Sequence, residues 1–287
     1  VPDLRGMIGR YFDSLCWLLA ETSPTFSNET ERGDSWMNAN TMIAGALALG
    51  MLVVEVPASA QANRDDIDGL VKAVMNETYG QTYDAQSNCW AFAWKNDQGE
   101  STDYCMRPGT PQIVDGPRGK TLYLNAFSVI VMQGDSPYRY AHVQPGLMGA
   151  FKIHVGGAQG WTYEAYDSGT DYGSMGDCGC SQARLIKLSN AGDYGWIFVS
   201  GGTWQDMTVG FYSIVTAIKG RMTDVSKIPQ VTEDAQGVRY DVSVKEDPAA
   251  KGFFPLHVVK TTKGAKVEAF DVPFNTTRSS YALPAGR

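Results

Sequence analysis

The sequence predicts a mainly β protein: an antiparallel β-sandwich or jelly-roll-like domain, with one amphipathic helix before it and a small β unit after it. Three observations carry this expectation. Beyond Gly80 the chain is a succession of short apolar or alternating runs bounded by Gly, Pro, Asn and Asp, the residues that turns demand. No amphipathic helical pattern separates those runs, which points to antiparallel pairing rather than strand–helix–strand units. The composition agrees, because 31 glycines and 14 tyrosines, with many Val and Thr, suit tight turns and pleated surfaces.

Taken in order, the chain opens with residues 1–36, which read as an upstream extension, either a mistranslated stretch or an atypical leader. Residues 37–62 read as a signal peptide. Within them MIAGALALGMLVV is apolar from Met42 to Val54, and small residues follow as Ala58-Ser59-Ala60 and Ala60-Gln61-Ala62, an A-x-A-like cleavage pattern. The run is too short to cross a bilayer core of about 30 Å at about 1.5 Å per residue. No stable membrane span is expected, and the protein is expected to be secreted or periplasmic. Cleavage would remove Cys16 from the five cysteines and leave Cys89, Cys105, Cys178 and Cys180. An even set in an exported chain favours disulfides.

Residues 63–222 form the expected sandwich domain. NRDDIDGLVKAVMNETYG sets Ile67, Leu70, Val71 and Val74 on one helical face, with Asn63 or Asp65 as cap and Gly80 after the end. Strands are then expected over 121–132, 149–155, 183–189, 195–201 and 209–220. The polar, proline-bearing stretch 223–237 reads as a linker. Residues 238–287 form the small C-terminal unit, with strands over 238–244, 253–262 and 265–274. Val238, Tyr240, Val242 and Val244 share one face, and Lys263-Gly264 makes a turn. So short a unit buries little surface alone and is expected to pack on the main domain or on a partner.

QSNCWAFAW, from Gln86 to Trp94, admits two readings. As a strand, Trp90, Phe92 and Trp94 alternate with Cys89, Ala91 and Ala93. A hairpin closed over Asn96 to Gly99 then sets Cys89 nearly opposite Cys105, where a Cα separation of about 5.5 Å suits a disulfide. Alternatively, Cys-Trp-Ala-Phe-Ala resembles the active-site segment of papain-like cysteine proteases, in which the nucleophile opens a helix. The resemblance covers about six residues. It implies Cys89 as nucleophile, Gln86 as oxyanion donor and His257 as base, since a thiol needs a neighbouring base at neutral pH.

The segment GGAQGWTYEAYDSGTDYGSMGDCGC, residues 156–180, reads as a long loop rich in rings and acids. Trp161, Tyr163 and Tyr166 offer stacking faces for sugars, and Glu164, Asp167 and Asp171 accept hydrogen bonds from hydroxyls. Trp204, in a glycine-rich turn, is a further candidate recognition residue. Oxygen-rich loops of this kind also bind calcium, although the spacing departs from the EF-hand pattern; no other cofactor is implied. Glu164 with Asp167 or Asp171 would also supply the paired carboxylates of a carbohydrate-active enzyme. Cys178 and Cys180 are expected to be bridged, to each other or to the 89/105 pair.

A net charge of −7 and a pI near 5.0 disfavour nucleic acid, whose phosphates need a basic surface. No nucleophile elbow, zinc-binding His-Glu-x-x-His, phosphate loop or dinucleotide fingerprint is present. The expected function is therefore that of an exported β-rich protein that binds a glycan or a cell-surface protein without catalysis. The cysteine hydrolase and the carbohydrate-active enzyme are the alternatives.

Overall fold

A computed structural model describes residues 67–285, apart from 97–98, 133–135, 158–159, 205–206 and 232–236. The upstream extension, the signal-like segment and the caps Asn63 and Asp65 lie outside the described residues. Within them the protein is mainly β, with one α-helix and sixteen strands.

Helix α1 spans Ile67–Tyr79. Its buried stripe is Val71, Val74, Met75 and Tyr79, while Ile67 is exposed and Leu70 half-buried. The buried face is thus rotated from the expected one. Tyr79 explains the rotation: its ring sits 4.9 Å from Phe92 and 6.3 Å from Phe151, so the last turn anchors the helix on the sheet. Gly80 follows with φ +83°, the left-handed residue that ends many helices.

Strands β1 (Tyr83–Asp84), β2 (Cys89–Lys95) and β3 (Ser101–Pro108) form an antiparallel meander. The β2–β3 loop takes in Glu100, whose N–H bonds Asn96 Oδ1 at 2.8 Å. The register shifts accordingly. Cys105 lies opposite Ala91, and Cys89 is its diagonal neighbour.

Strand β4 (Gln112–Gly116), which the sequence pattern did not announce, pairs with β5 (Gly119–Ser128). β5 pairs in turn with β6 (Gly146–Val155), and β6 with β7 (Trp161–Tyr172). The expected loop over 156–180 is therefore half strand. β5 and β6 are buried on both faces. Leu122, Leu124, Phe151 and Ile153 pack under α1, whereas Tyr123, Met148 and Ala150 pack against Trp196, Phe198 and Val215. Strands covered on both sides lose the inside–outside alternation and read as continuous apolar runs.

Trp196 and Phe198 belong to β9 (Tyr194–Trp204), which pairs with β8 (Arg184–Lys187) and β10 (Met207–Ile218). β11 (Arg221–Asp224) folds back on β10 and meets β7 in parallel at Arg221 and Tyr166. β12 (Ser226–Val231) also pairs with β10. Most of residues 223–231, the described first part of the stretch read as a linker, is therefore sheet. Its proline, Pro229, pairs with Phe211 next to the register shift of the β10–β12 ladder, and bulges are among the places where a sheet tolerates proline.

The C-terminal strands are β13 (Val238–Val244), β14 (Leu256–Thr262), β15 (Ala265–Val272) and β16 (Tyr281–Ala282). Lys263 and Gly264, at φ +52° and +80°, close the β14–β15 hairpin with the two left-handed residues that such tight turns require. Val238, Tyr240, Leu256 and Val258 share a core with Ile197 and Ile214, the opposite faces of β9 and β10 from those under β5–β7. The unit packs on the main body, as its small size demands.

Candidate functional site

Strand β7 carries most of the residues that the sequence marks for binding, and two bulges decide where they point. The β6–β7 ladder shifts register between Lys152 and Ile153, opposite Glu164, and again between Met148 and Ala150, opposite Ser168 and Gly169. In a regular strand Tyr163 and Tyr166 would face opposite ways. The extra residue at Glu164 returns Tyr166 to the face of Tyr163. The rings of Trp161 and Tyr163 then lie 5.1 Å apart, and those of Tyr163 and Tyr166 4.9 Å apart. This is a three-ring ladder. Tyr166 is 51% exposed, and Trp161 and Tyr163 are half-buried. Helix α1 borders the ladder through Thr78, whose hydroxyl lies 3.2 Å from that of Tyr163. Burial pushes the Tyr163 phenol up, and the bond to Thr78 pulls it back in part.

Glu164 and Asp167 do not join the rings. Glu164 ion-pairs with Lys152 at 3.1 Å and Arg118 at 3.2 Å. Lys152 lies between Phe151 and Ile153 on β6 and so points away from the ladder face, taking Glu164 with it. Asp167 neighbours Tyr166 in the strand and faces the other way. It accepts from Thr170 at 2.5 Å and lies 3.9 Å from Arg221. Asp171 sits opposite Leu147, and with burial as the larger cause it helps push Tyr104 up to about 12. The sequence segment that looked like one aromatic-acidic loop is thus split between the two faces of a strand. Trp204 ends β9, paired with Met207, on a different hairpin from β7.

The expected calcium loop is likewise largely strand. Among the described residues no three His, Cys, Asp or Glu side chains converge on a metal position.

Cys89 and Cys105 are joined, with Cα atoms 5.4 Å apart, and Cys178 is joined to Cys180. Cys89 lies in a strand, not at the head of a helix, and its sulfur is bonded. His257, the base of the hydrolase alternative, lies on β14 with its Nδ1 2.9 Å from Asp271 Oδ1. Lys245 first and His257 second hold the Asp271 carboxyl below the usual range. With its sulfur bonded to Cys105, Cys89 is not available as the thiolate nucleophile of the hydrolase alternative.

A cleft of about 310 Å³ escaped the sequence reading. β4, β5, β8 and β9 line it with Gln112, Asn125, Arg184, Leu185 and Trp196, and Thr110 and Ser181 add hydroxyls. Its residues are scattered over 88 positions of sequence between Gly109 and Trp196, so no local motif announces it. Asn125 is fixed by donating to the Cys180 carbonyl at 3.1 Å, which ties the cleft wall to the Cys178–Cys180 bridge. Gly179 makes that bridge feasible: it takes φ +69°, and a Cβ there would lie 2.1 Å from the Val199 carbonyl.

No family model, no curated protein and no solved structure matches the chain. Among the described residues, no helix is long and apolar enough to cross a membrane.

Proposed function

We propose that the protein is an exported β-rich binding protein that holds a glycan on the ring ladder of β7, without catalysing a reaction. The observation that carries this reading is the run Trp161–Tyr163–Tyr166, brought to one face by the Glu164 bulge and open to solvent at Tyr166. Trp161 meets Tyr163 edge-on at 88° and Tyr163 and Tyr166 are tilted by 37°, so the exposed Tyr166 ring, with Tyr163 beside it, offers the apolar face on which the C–H face of a sugar stacks, while the neighbouring hydroxyl of Thr78 and phenol of Tyr163 supply hydrogen bonds. Export is supported by the two disulfides, which persist in oxidising compartments.

A glycan array followed by calorimetry tests the reading. Tyr166→Ala removes a half-exposed ring at little structural cost and is expected to weaken the best glycan about tenfold or more. Equal binding by the variant, or no glycan bound by the wild type, defeats the proposal.

A further inference from the structure

A further site lies in the turn that follows β15, on a segment that carries none of the ladder residues. We propose that Asn275 in this turn is the attachment point of an N-linked oligosaccharide. The proposal rests on the export half of the function proposed above and needs nothing from the ladder.

Glycan transfer to asparagine requires Asn-x-Ser or Asn-x-Thr, with any residue but proline in the middle, and in an exported chain it marks a surface loop. The pattern occurs as Asn28-Glu29-Thr30, Asn76-Glu77-Thr78 and Asn275-Thr276-Thr277. Asn28 lies outside the described residues. Asn76 is closed off by the fold. It sits inside α1, half-buried, and its Oδ1 accepts the indole N–H of the buried Trp90 at 2.8 Å. A sugar on that amide would crowd the contact between α1 and β2.

Asn275 is presented to solvent, as are Thr276, Thr277 and Arg278 after it. Their turn is closed at its base by two backbone bonds between Asn275 and Ser280, at 2.9 and 3.2 Å. The base is anchored in the core. Phe274 packs on Phe253 at 4.7 Å and on Tyr281 at 5.0 Å, and the buried Tyr281 donates its hydroxyl to the Phe254 carbonyl at 2.7 Å. Within the turn, Asn275 Oδ1 accepts the Arg278 N–H at 2.9 Å, the kind of local bond by which asparagine organises turns. That bond uses the amide oxygen and leaves the nitrogen: among the described residues Nδ2 makes no hydrogen bond. In the transfer, Nδ2 bonds to the anomeric carbon of an oligosaccharide carried on a lipid diphosphate. The carbon–oxygen bond to phosphate breaks, the lipid diphosphate leaves with the electron pair, and Nδ2 gives up one proton. The product retains Oδ1, so the bond that shapes the turn survives the modification.

The experiment places the full chain behind a cleavable secretion signal in cultured animal cells, so that entry to the secretory pathway does not depend on the chain's own leader. A parallel expression without the added signal reads export alone, which keeps failure of the site distinct from failure of the export reading. Protein recovered from medium and cells is mapped by mass spectrometry before and after treatment with peptide N-glycosidase, which leaves aspartate where a glycan was attached. The peptide holding Asn275 is expected to carry a glycan mass before treatment and aspartate at position 275 after it, and the peptide holding Asn76 is expected to stay unmodified. Thr277→Ala, at an exposed position, is expected to abolish the glycan, and Thr277→Ser to restore it, a rescue that a folding defect would not show. An unmodified Asn275, a glycan on Asn76, or a glycan that survives Thr277→Ala overturns the proposal.

Discussion

The Tyr79 hydroxyl donates a 3.0 Å hydrogen bond to the carbonyl of Ser168, locking the end of α1 onto the second bulge of β7. The same hydroxyl occupies the place of a side chain on β6, because a Cβ on Gly149 would come within 1.9 Å of it. Helix, glycine and bulge are therefore one packing unit. Gly149→Ala is expected to cost about 1–3 kcal/mol by overpacking, and Tyr79→Phe about 1 kcal/mol by losing the bond. In the Tyr79→Phe background the 1.9 Å clash is gone and only the tight approaches to the Ser168 carbonyl at 3.1 Å and Phe151 at 3.3 Å remain, so Gly149→Ala should cost clearly less. Urea unfolding of the four proteins in the cycle checks this, and simple additivity would refute the shared-space argument.

The two disulfides are expected to differ in weight. Closing the Cys89–Cys105 loop, with a separation of 16 residues, restricts the unfolded chain by about 3 kcal/mol on the loop-entropy account. Cys178–Cys180 spans two residues and restricts it far less. Replacing the first pair by alanine should lower the unfolding free energy more than replacing the second. Peptide mapping without reductant should recover the pairings 89–105 and 178–180, and any crossed pairing contradicts the structure.

Asp224 gives the protein a signed pH dependence. Burial raises its carboxyl, opposed in part by hydrogen bonds from the N–H groups of Ser226 at 3.0 Å and Ile214 at 3.1 Å. Tyr172, raised first by its own burial, is pushed further by the Asp224 charge. A carboxyl raised on folding holds its proton more tightly in the native state. Its contribution is therefore most favourable at pH below the ordinary value of 3.8 and is lost as pH rises through the folded value. Asp224→Asn keeps an oxygen for both N–H groups and removes the buried charge. Its stability relative to wild type is expected to rise from pH 4 toward neutrality, as read from denaturant midpoints at each pH. A difference that stays flat or falls would exclude a raised Asp224.

Glu164 tests which of its two ion pairs matters. Lys152 is 15% exposed and Arg118 79% exposed. Arg118→Gln should cost under about 0.5 kcal/mol, the range of solvent-screened pairs. Glu164→Gln strands the Lys152 ammonium in a mostly buried position and should cost about 1–2 kcal/mol, short of a fully buried pair. Chemical denaturation distinguishes the two, and equal losses would place the pair outside the protein interior. If Glu164 also served as a catalytic acid, the variant would abolish sugar release; a structural role leaves none to lose.

Much of the fold was legible because its signals are local. The strand character of Trp90, Phe92 and Trp94, the helix ending at Gly80 and the turn at Lys263-Gly264 each follow from residue types within a few positions. The joining of Cys89 to Cys105 also followed from the hairpin, although the ladder is one step further out of register than the turn suggested. β7 was not legible. Its glycines and two bulges erase the period of two on which a strand is recognised, so it looked like a loop. β12 was obscured by Pro229, which sits beside the register shift of its ladder.

By itself the sequence determined the class of the fold, the cysteines available for bridging and the rings available for stacking, since these depend on composition and short-range periodicity. The tertiary structure alone decided that Tyr163 and Tyr166 share a face and that Glu164 and Asp167 point away from it. It alone brought Trp196 and Gln112 to one cleft with Asn125. A bulge moves every later side chain to the other face, and a cleft gathers residues from distant strands. Both are properties of pairing register, which is set by partners far away along the chain.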